Sequence, residues 1–321
     1  MENQELCFPK LLNASCKRPT LHWADAVLMN MLFSFISLIT TALNLLVIIS
    51  VSHFRKLHTP TNIFLLSLAV TDFLVGLLVM TATIYLRTSC WYFGDVMCSL
   101  YGFVHVIILC SSVAIMVLIS ADRYVAICDP LHYTTRVTER RAKLWVCLCW
   151  LCSVLFTTGV LKDDLFHPGQ FKSCHGQCYT YANPIGFILY LAFTFMVPIT
   201  VIVVLYMRVF VVAVNQARAM RSHVTAVSVV TAKKSELKAA RTLGVLVVVF
   251  LMCYCPYYLF FFIEKQITNL WILPLLCYLV YFNSCLNPLI YALFYPWFRK
   301  AVKLIVTLQI LQPDSCDANI L

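Results

Sequence analysis

The chain has 321 residues, of which 61% are hydrophobic and only 12% charged, and its formal net charge is +10. Soluble domains are on average about half apolar and a quarter charged, so this composition excludes an ordinary soluble protein. The positive charge does not indicate nucleic-acid binding, because the Lys and Arg residues lie between hydrophobic runs. We therefore expect membrane lipid as a partner, and no nucleic acid.

Seven long apolar segments follow one another along the chain. Each is close to the roughly 20 residues that a helix needs to cross a bilayer. The runs are continuous and do not alternate, which excludes a membrane β-barrel. Their approximate bounds are 26–52, 60–86, 97–121, 144–161, 180–207, 242–263 and 271–294. The predicted fold class is an all-α membrane protein, a seven-transmembrane helix bundle that occupies residues 26–294.

The connecting segments predict the orientation in the membrane. The loops near 53–59, 122–143 and 208–241, with the residues from 295 onward, contain 17 of the 24 Lys and Arg residues. The positive-inside rule places that side in the cytoplasm. We therefore expect a multi-pass protein of the plasma membrane whose N-terminal segment, residues 1–25, is extracellular.

The segment after the seventh span has the pattern of a surface helix. In residues 295–308, apolar positions alternate with Arg299, Lys300 and Lys303 at helical spacing. This pattern predicts a short amphipathic eighth helix on the cytoplasmic membrane surface. Residues 309–321 are expected to form a short cytoplasmic tail.

Asp72 is the only formal charge in the second predicted span. Charge inside a bilayer is costly, so this carboxylate is a candidate functional group. Oxygen atoms are the ligands that a small cation such as sodium prefers, and other spans offer them. The candidate sodium site comprises Asp72, Ser112, Asn283, Ser284 and Asn287. An aspartic acid that only ties helices together is the alternative, and no other cofactor is expected.

Asp122, Arg123 and Tyr124 stand at the cytoplasmic end of the third predicted span, and Glu236 begins the sixth. An ion pair from Arg123 to Asp122 or to Glu236 would hold these helices together. Its rupture would let them separate. Interfacial charges that extend to water are the alternative.

Proline lies inside the last three predicted spans, at Pro198, Pro256 and Pro288. Each proline removes a backbone hydrogen bond and kinks its helix. Asn287 and Tyr291 belong to the same run as Pro288. Kinked helices provide hinges, which suit a bundle with two alternative arrangements.

His105 lies near the outer end of the third predicted span. Side chains at a similar depth would converge on it and form a ligand pocket. The predicted pocket comprises His105, Val106, Leu109, Tyr190, Thr194, Tyr254, Tyr257, Tyr258, Phe261 and Tyr281. A histidine bonded to a neighbouring helix, among aromatic residues that only pack, is the alternative.

Six of the 16 cysteines lie outside the spans, on the predicted extracellular side: Cys7, Cys16, Cys90, Cys98, Cys174 and Cys178. An oxidising compartment favours three disulfides among them. Six cysteines allow 15 connectivities, and spacing alone does not choose between them. Asn13-Ala14-Ser15 is a glycosylation sequon on the same side, with Asn13 as the acceptor.

Landmark residues in all seven spans resemble those of rhodopsin-like G-protein-coupled receptors. They are Asn44, Asp72, the run Asp122-Arg123-Tyr124, Trp150, Pro198, Pro256 and the run from Asn287 to Tyr291. Within that class, several blocks resemble trace amine-associated receptors. The blocks are CFPKLLNASCKR (7–18), CWYFGDVMC (90–98), CHGQC (174–178), KKSELKAARTL (233–243) and NSCLNPLIYALFYPWFRKA (283–301).

The resemblance implies a disulfide pairing and a mechanism. The implied pairs are Cys98–Cys178, Cys7–Cys174 and Cys16–Cys90. A small-molecule ligand at the outer side would bias a two-state bundle. The switch residues are then Arg123, Tyr206, Phe250 and Tyr291. The implied partner is a heterotrimeric G protein of the stimulatory or olfactory type, which raises cyclic AMP, and the implied role is chemosensory.

The sequence departs from the amine-receptor pattern where the ligand's ammonium should bind. The usual aspartate of span three is matched by His105, and the span-five acid of some fish members by Tyr190. Cation–π contacts contribute about 0.5–2 kcal/mol, less than a buried ion pair. The ligand is therefore expected not to be a monoamine bound through span three. It is either a neutral or acidic molecule that meets His105, or an amine held by Asp163, Asp164 or Glu264.

Three other functions were weighed against a signalling receptor. A transporter of small solutes is the main alternative, but the two halves of the chain show no self-similarity. A membrane enzyme is disfavoured, because no H-E-x-x-H, G-x-S-x-G or intramembrane carboxylate pair is present. A receptor that no longer signals is disfavoured by the intact switch residues.

Overall fold

The protein is a bundle of long apolar helices, as its composition predicts. The computed structural model describes residues 6–10, 15–17, 23–170, 174–222, 244–260, 272–318 and 320. The helices are α1 (Trp23–His53), α2 (Pro60–Thr88), α3 (Gly94–Cys128), α4 (Glu139–Val160), α5 (residues 184–222), α6 (Gly244–Phe260), α7 (Ile272–Phe294) and α8 (Pro296–Val306). Six are long and apolar enough to cross a membrane, and the described part of α6 is a shorter apolar helix. The predicted seven-helix bundle is confirmed.

Side-chain caps set the first residue of several helices. Thr59 accepts a hydrogen bond from the Asn62 amide before α2, and Asn183 accepts one from the Gly186 amide before α5. In both helices proline follows the cap, where its missing N–H is not needed. Thr138 caps α4 in the same way, so α4 begins five residues before the apolar run predicted from 144.

Helix α3 is longer than its apolar run predicts. It continues from the predicted end at 121 to Cys128. Asp122, Arg123 and Tyr124 therefore lie within the helix and not at its end. The reason is that hydrophobicity marks only the lipid-facing length of a helix, whereas backbone hydrogen bonds continue beyond it.

Two π-helical segments interrupt α2 and α5, at Val75–Met80 and Ala192–Met196. The second ends two residues before Pro198, so the irregular turn in α5 adjoins its proline. The first contains Gly76, where an added Cβ would lie 2.7 Å from Thr41 Oγ1. Glycine is needed there because α1 and α2 approach closely, which small residues permit in membranes.

Buried amide and carboxylate groups connect the helices. Asn44 Nδ2 on α1 donates to the Ser284 carbonyl on α7 at 2.9 Å. Asn287 Nδ2 on α7 donates to Asp72 Oδ2 on α2 at 2.8 Å. Trp150 Nε1 on α4 donates to Ser67 Oγ on α2 at 3.2 Å. These polar contacts fix the bundle, because apolar surface alone does not favour helix–helix contact over helix–lipid contact.

The amphipathic segment after α7 is helical, and one face of α8 is buried at Trp297, Phe298 and Ala301. Arg299 on the other face donates to the carbonyls of Ala292 and Leu293 at the end of α7. These bonds satisfy carbonyls that a helix end leaves without partners. They hold α8 at the end of α7.

Two of the three implied disulfides are paired differently in the structure. Cys98 is bonded to Cys178, as the resemblance implies, but Cys7 is bonded to Cys90 and Cys16 to Cys174. The implied pairs Cys7–Cys174 and Cys16–Cys90 are therefore wrong. Asn13, the sequon asparagine, lies outside the described residues.

The backbone of the N-terminal segment explains the exchange. The Cys16 amide donates to the His175 carbonyl at 2.9 Å, which places Cys16 beside Cys174. The Trp91 amide donates to the Gly176 carbonyl at 2.9 Å, and Cys7 lies against Gly176. Cys7 is thereby brought next to Cys90.

Paired substitutions will test this connectivity. Replacing Cys7 and Cys90 together by serine should lower the thermal stability of the purified receptor about as much as either single replacement, because all three variants lose one bond. Replacing Cys7 and Cys174 together should lower it further, because two bonds are lost. The pairing would be contradicted if the stability losses of the Cys7 and Cys90 variants added up in the double variant. It would also be contradicted if the double variant of Cys7 and Cys174 lost no more stability than either single variant.

Candidate functional site

His105 lies inside the bundle between two tyrosine rings. Its Nε2 is 3.2 Å from the hydroxyl of Tyr281 on α7. Tyr101, one turn earlier on α3, stacks on the imidazole with ring centroids 5.8 Å apart. The hydrogen bond to α7 agrees with the alternative interpretation, in which His105 bonds to a neighbouring helix. Its side chain nevertheless keeps part of its surface accessible, as a residue that lines a cavity does.

The other predicted pocket residues fall into two groups. Val106, Leu109, Tyr190 and Tyr257 remain partly accessible, like His105. The buried group comprises Thr194, Tyr254, Tyr258 and Tyr281. Phe261 lies outside the described residues. In this conformation the accessible group offers more surface to a ligand than the buried group does.

The buried tyrosines of α6 pack against α5. Tyr258 Oη donates to Thr194 Oγ1 at 2.9 Å, and Thr194 donates to the Tyr190 carbonyl at 2.6 Å. Phe250 and Tyr254 pack with ring centroids 4.3 Å apart. In this conformation Thr194, Tyr254 and Tyr258 therefore pack against other side chains, as the alternative interpretation of the pocket expects.

The carboxylates proposed to capture an amine differ in their surroundings. Asp163 accepts a hydrogen bond from Asn183 Nδ2 at 2.8 Å, which ties the short helix Lys162–Phe166 to the start of α5. Asp164 is buried, and its Oδ2 has no partner among the described residues. Glu264 lies outside them. No hydrogen bond or ion pair between described residues joins Asp163 or Asp164 to His105.

One charged residue near this site was missed by the reasoning from sequence. Arg87, in the last turn of α2, places its guanidinium 5.7 Å from the ring centroid of Phe33 on α1 and 5.8 Å from that of Tyr278 on α7. Its signal was an arginine at the outer end of an apolar run. An arginine offers no counter-charge to an ammonium, so the requirements of amine binding do not point to it.

At the opposite end of α3, Asp122 is the centre of a buried network. Its carboxylate accepts hydrogen bonds from Arg123 Nε at 2.9 Å, Thr61 Oγ1 at 2.9 Å and Tyr133 Oη at 2.8 Å. Arg123 also pairs with it through Nη2. Of the two partners weighed for Arg123, the structure places Asp122 in contact, whereas Glu236 lies outside the described residues.

The remaining switch residues line the same end of the bundle. Tyr124 packs with Ile127 and Val209 and is not part of the Asp122 network. The Tyr206 ring faces Gly244 at the start of α6, since a Cβ added there would lie 3.2 Å from it. Phe250 and Tyr291 are fully buried.

Asp72 and three buried amides leave oxygen atoms without hydrogen-bond partners in the described chain. The Oδ2 of Asp72 accepts from Asn287, whereas its Oδ1 is buried without a partner in the described chain. The side-chain oxygens of Asn44, Asn283 and Asn287 are unpartnered as well. Such a set of carboxylate and amide oxygens fits a small hard cation. Ser112 and Ser284 are buried too.

A seven-helix bundle with a buried Asp–Arg network at one end is the architecture of a membrane receptor. The family described as "7 transmembrane receptor (rhodopsin family)" matches residues 43–291. Trace amine-associated receptor 6 of Pan troglodytes is 37% identical over 334 residues, which is 98% of this chain and 95% of that protein. Receptor 7e of Mus musculus is 38% identical (98% and 92%), and receptor 13c of Danio rerio 35% (98% and 96%).

The chain therefore belongs to the rhodopsin family of G-protein-coupled receptors and, within it, to the trace amine-associated receptors. It is a multi-pass membrane protein and not an enzyme. Its family implies two partners, a small-molecule ligand and a G protein.

Proposed function

We propose that this chain is a chemosensory receptor whose N-terminus is extracellular and which raises cyclic AMP through a stimulatory or olfactory-type G protein. Its ligand binds at the end of the bundle that carries the disulfides. That ligand is not a monoamine held through α3. The relatives are named for trace amines, and this chain departs from the amine-binding pattern at His105 and Tyr190.

The observation that carries this proposal is the environment of His105. The imidazole bonds to Tyr281 and stacks on Tyr101, and it has no carboxylate partner among the described residues. A neutral imidazole offers at most one acceptor, and a protonated one repels a cation. An ammonium placed there would lose its hydration without gaining an opposite charge.

Helix α3 supports a signalling mechanism because it carries both sites. His105 and Arg123 are 18 residues apart (123 minus 105) on one continuous helix, which is about 27 Å at the helical rise. A ligand that moves α3 or α7 at His105 would act on the Asp122–Arg123 pair through a rigid element. The ligand needs only to bind one arrangement of the bundle better than the other.

The unpartnered oxygens around Asp72 lie on α1, α2 and α7. We propose that Asp72, Asn283 and Asn287 hold a sodium ion together with Ser112 and Ser284. A cation there would favour the arrangement in which these oxygens remain close together.

His105→Asp tests the proposed function. Simple primary amines such as 2-phenylethylamine should raise cyclic AMP at least about tenfold more potently in this variant, because a new carboxylate pairs with the ammonium. His105→Asn is the matched control, since it changes shape in the same way without adding charge, and it should not gain this response.

The measurement is cyclic AMP in cells that express each receptor at equal surface level, beside cells without receptor. Potent activation of the unaltered receptor by simple monoamines, insensitive to Asp163→Asn, Asp164→Asn and Glu264→Gln, would reject the proposed ligand class. A basal and stimulated cyclic AMP level equal to that of cells without receptor would reject the coupling.

A further inference from the structure

Arg87 is a cation without an anion among the described residues. Its Nη1 is buried and has no hydrogen-bond partner there, and the guanidinium enters no ion pair with any of them. The two rings that it approaches, Phe33 and Tyr278, are themselves buried. Arg87 as a whole is only partly buried. A guanidinium cannot lose its proton in a protein, so its charge persists beside these rings.

The neighbouring hydroxyl group, Tyr278 Oη, is buried beside the Arg87 guanidinium, which interacts with it. Neither Arg87 Nη1 nor Tyr278 Oη meets another partner among the described residues. Buried polar groups in proteins are almost always paired, so these two adjacent donors have capacity for an acceptor that a ligand supplies. Arg87 and Tyr278 together offer N–H and O–H donors, and such a pair fits an anionic oxygen group.

These donors are continuous with the His105 site. The Tyr278 and Tyr281 rings meet edge to face, with centroids 6.1 Å apart. Tyr281 in turn bonds to His105. A molecule held by Arg87 at one end therefore reaches the His105 side chain through the face of α7.

Among the described residues, no carboxylate of α2, α3 or α7 forms an ion pair with Arg87. Helix α7 has no charged residue between 272 and 294, and α2 has only Asp72 and Arg87. Asp72 lies 15 residues before Arg87 (87 minus 72), or about 22 Å along the helix. Asp95, at the start of α3, lies against Gly169 in the segment after α4.

We propose that Arg87 and Tyr278 bind the carboxylate of a small organic acid, and that the remainder of this ligand contacts Tyr281 and His105. The inference rests on the proposed function, because it takes the disulfide end of the bundle as the ligand-binding end. Arginine binds carboxylates through two parallel hydrogen bonds, which strengthens the contact and fixes its orientation. The acid would come from the aqueous phase.

The test measures cyclic AMP in cells that express the full-length receptor. The probes are short-chain, medium-chain and aryl-substituted monocarboxylic acids, each applied beside its amide and its primary amine. A separate arm applies lysophosphatidic acid and long-chain fatty acids, which carry an anionic head on a membrane lipid. Activation by soluble acids and not by their amides or amines is expected.

Arg87→Gln should weaken the response to an activating acid by about tenfold or more, because a charge-assisted pair is lost. Arg87→Lys should retain part of it. Lys162→Gln is the matched control, because it removes a positive charge from an exposed position at the same end of the bundle. The activating acid should be equally potent at this variant and at the unaltered receptor.

Each other outcome rejects the inference. Acid responses that Arg87→Gln leaves unchanged would show that Arg87 is not the anchor. Responses to amines alone, to lipids alone, or to no probe while basal cyclic AMP exceeds that of receptor-free cells, would exclude a soluble acid yet leave the coupling intact. Cyclic AMP at the receptor-free level in every condition would reject the proposed function itself.

Discussion

Asp122→Asn is expected to raise agonist-independent cyclic AMP by about tenfold, up to the limit of the response. The carboxylate is 4% exposed and accepts bonds from Arg123, Thr61 and Tyr133. Removing one member of a buried ion pair costs about 3–5 kcal/mol, because the other charge is left unpaired. If that loss falls on the inactive arrangement, even about 1.4 kcal/mol shifts the two-state equilibrium tenfold.

Asp129→Asn is the matched control for this prediction. Asp129 follows α3 directly, is hydrogen-bonded to His132 at 2.7 Å and forms an ion pair with Arg136 at 3.1 Å. Both contacts are exposed to solvent. The hydrogen bond with His132 lowers the pKa of Asp129, and neither contact involves Arg123. Exposed pairs contribute little, so basal signalling should not change. Equal basal cyclic AMP for Asp122→Asn and the unaltered receptor, at equal surface expression, would exclude the latch.

Cys98→Ser is expected to remove most of the receptor from the cell surface, to below about a tenth of its normal level. The Cys98–Cys178 disulfide joins α3 to the segment before α5 and closes a loop of 80 residues. In the chain-entropy account a loop of that size corresponds to about 4–5 kcal/mol. Cys98 is fully buried, so the serine also leaves a polar group in an apolar position.

Cys152→Ser provides the control, because Cys152 is a free, exposed cysteine of α4. Its loss removes no cross-link, and surface expression should remain normal. Flow cytometry with an antibody to an N-terminal tag measures both variants. If Cys98→Ser reached the surface at the normal level with unaltered thermal stability, this disulfide would not be a main support of the fold.

The seven helices were predictable because each span must by itself be apolar enough to cross the bilayer. A run of about 20 apolar residues is a local property, and no knowledge of neighbouring segments is needed to recognise it. The position of Pro288 inside α7 followed from the same runs. Arg123 was expected at the end of the third span, whereas α3 continues past it to Cys128. The π-helical turns at Val75–Met80 and Ala192–Met196 had no such local signal.

The candidate site was predictable in part. His105 and Tyr281 were both expected near the ligand, and the structure brings them into contact. The burial of Tyr258 against α5 and of Tyr254 against Phe250 was not predictable, because an aromatic residue has the same pattern whether it packs or lines a cavity. Arg87 was missed because an arginine near a span end ordinarily extends to water.

The amino-acid sequence by itself determined that this chain is a seven-helix membrane receptor, and it located His105 where an amine's counter-charge is absent. Composition, charge bias and motif order suffice for this, since each can be read along one dimension. Only the tertiary structure decided that Cys7 pairs with Cys90 and Cys16 with Cys174, and that Arg87 lies beside the stacked rings of Phe33 and Tyr278. These facts depend on which segments become neighbours in space, and residue spacing does not contain that information.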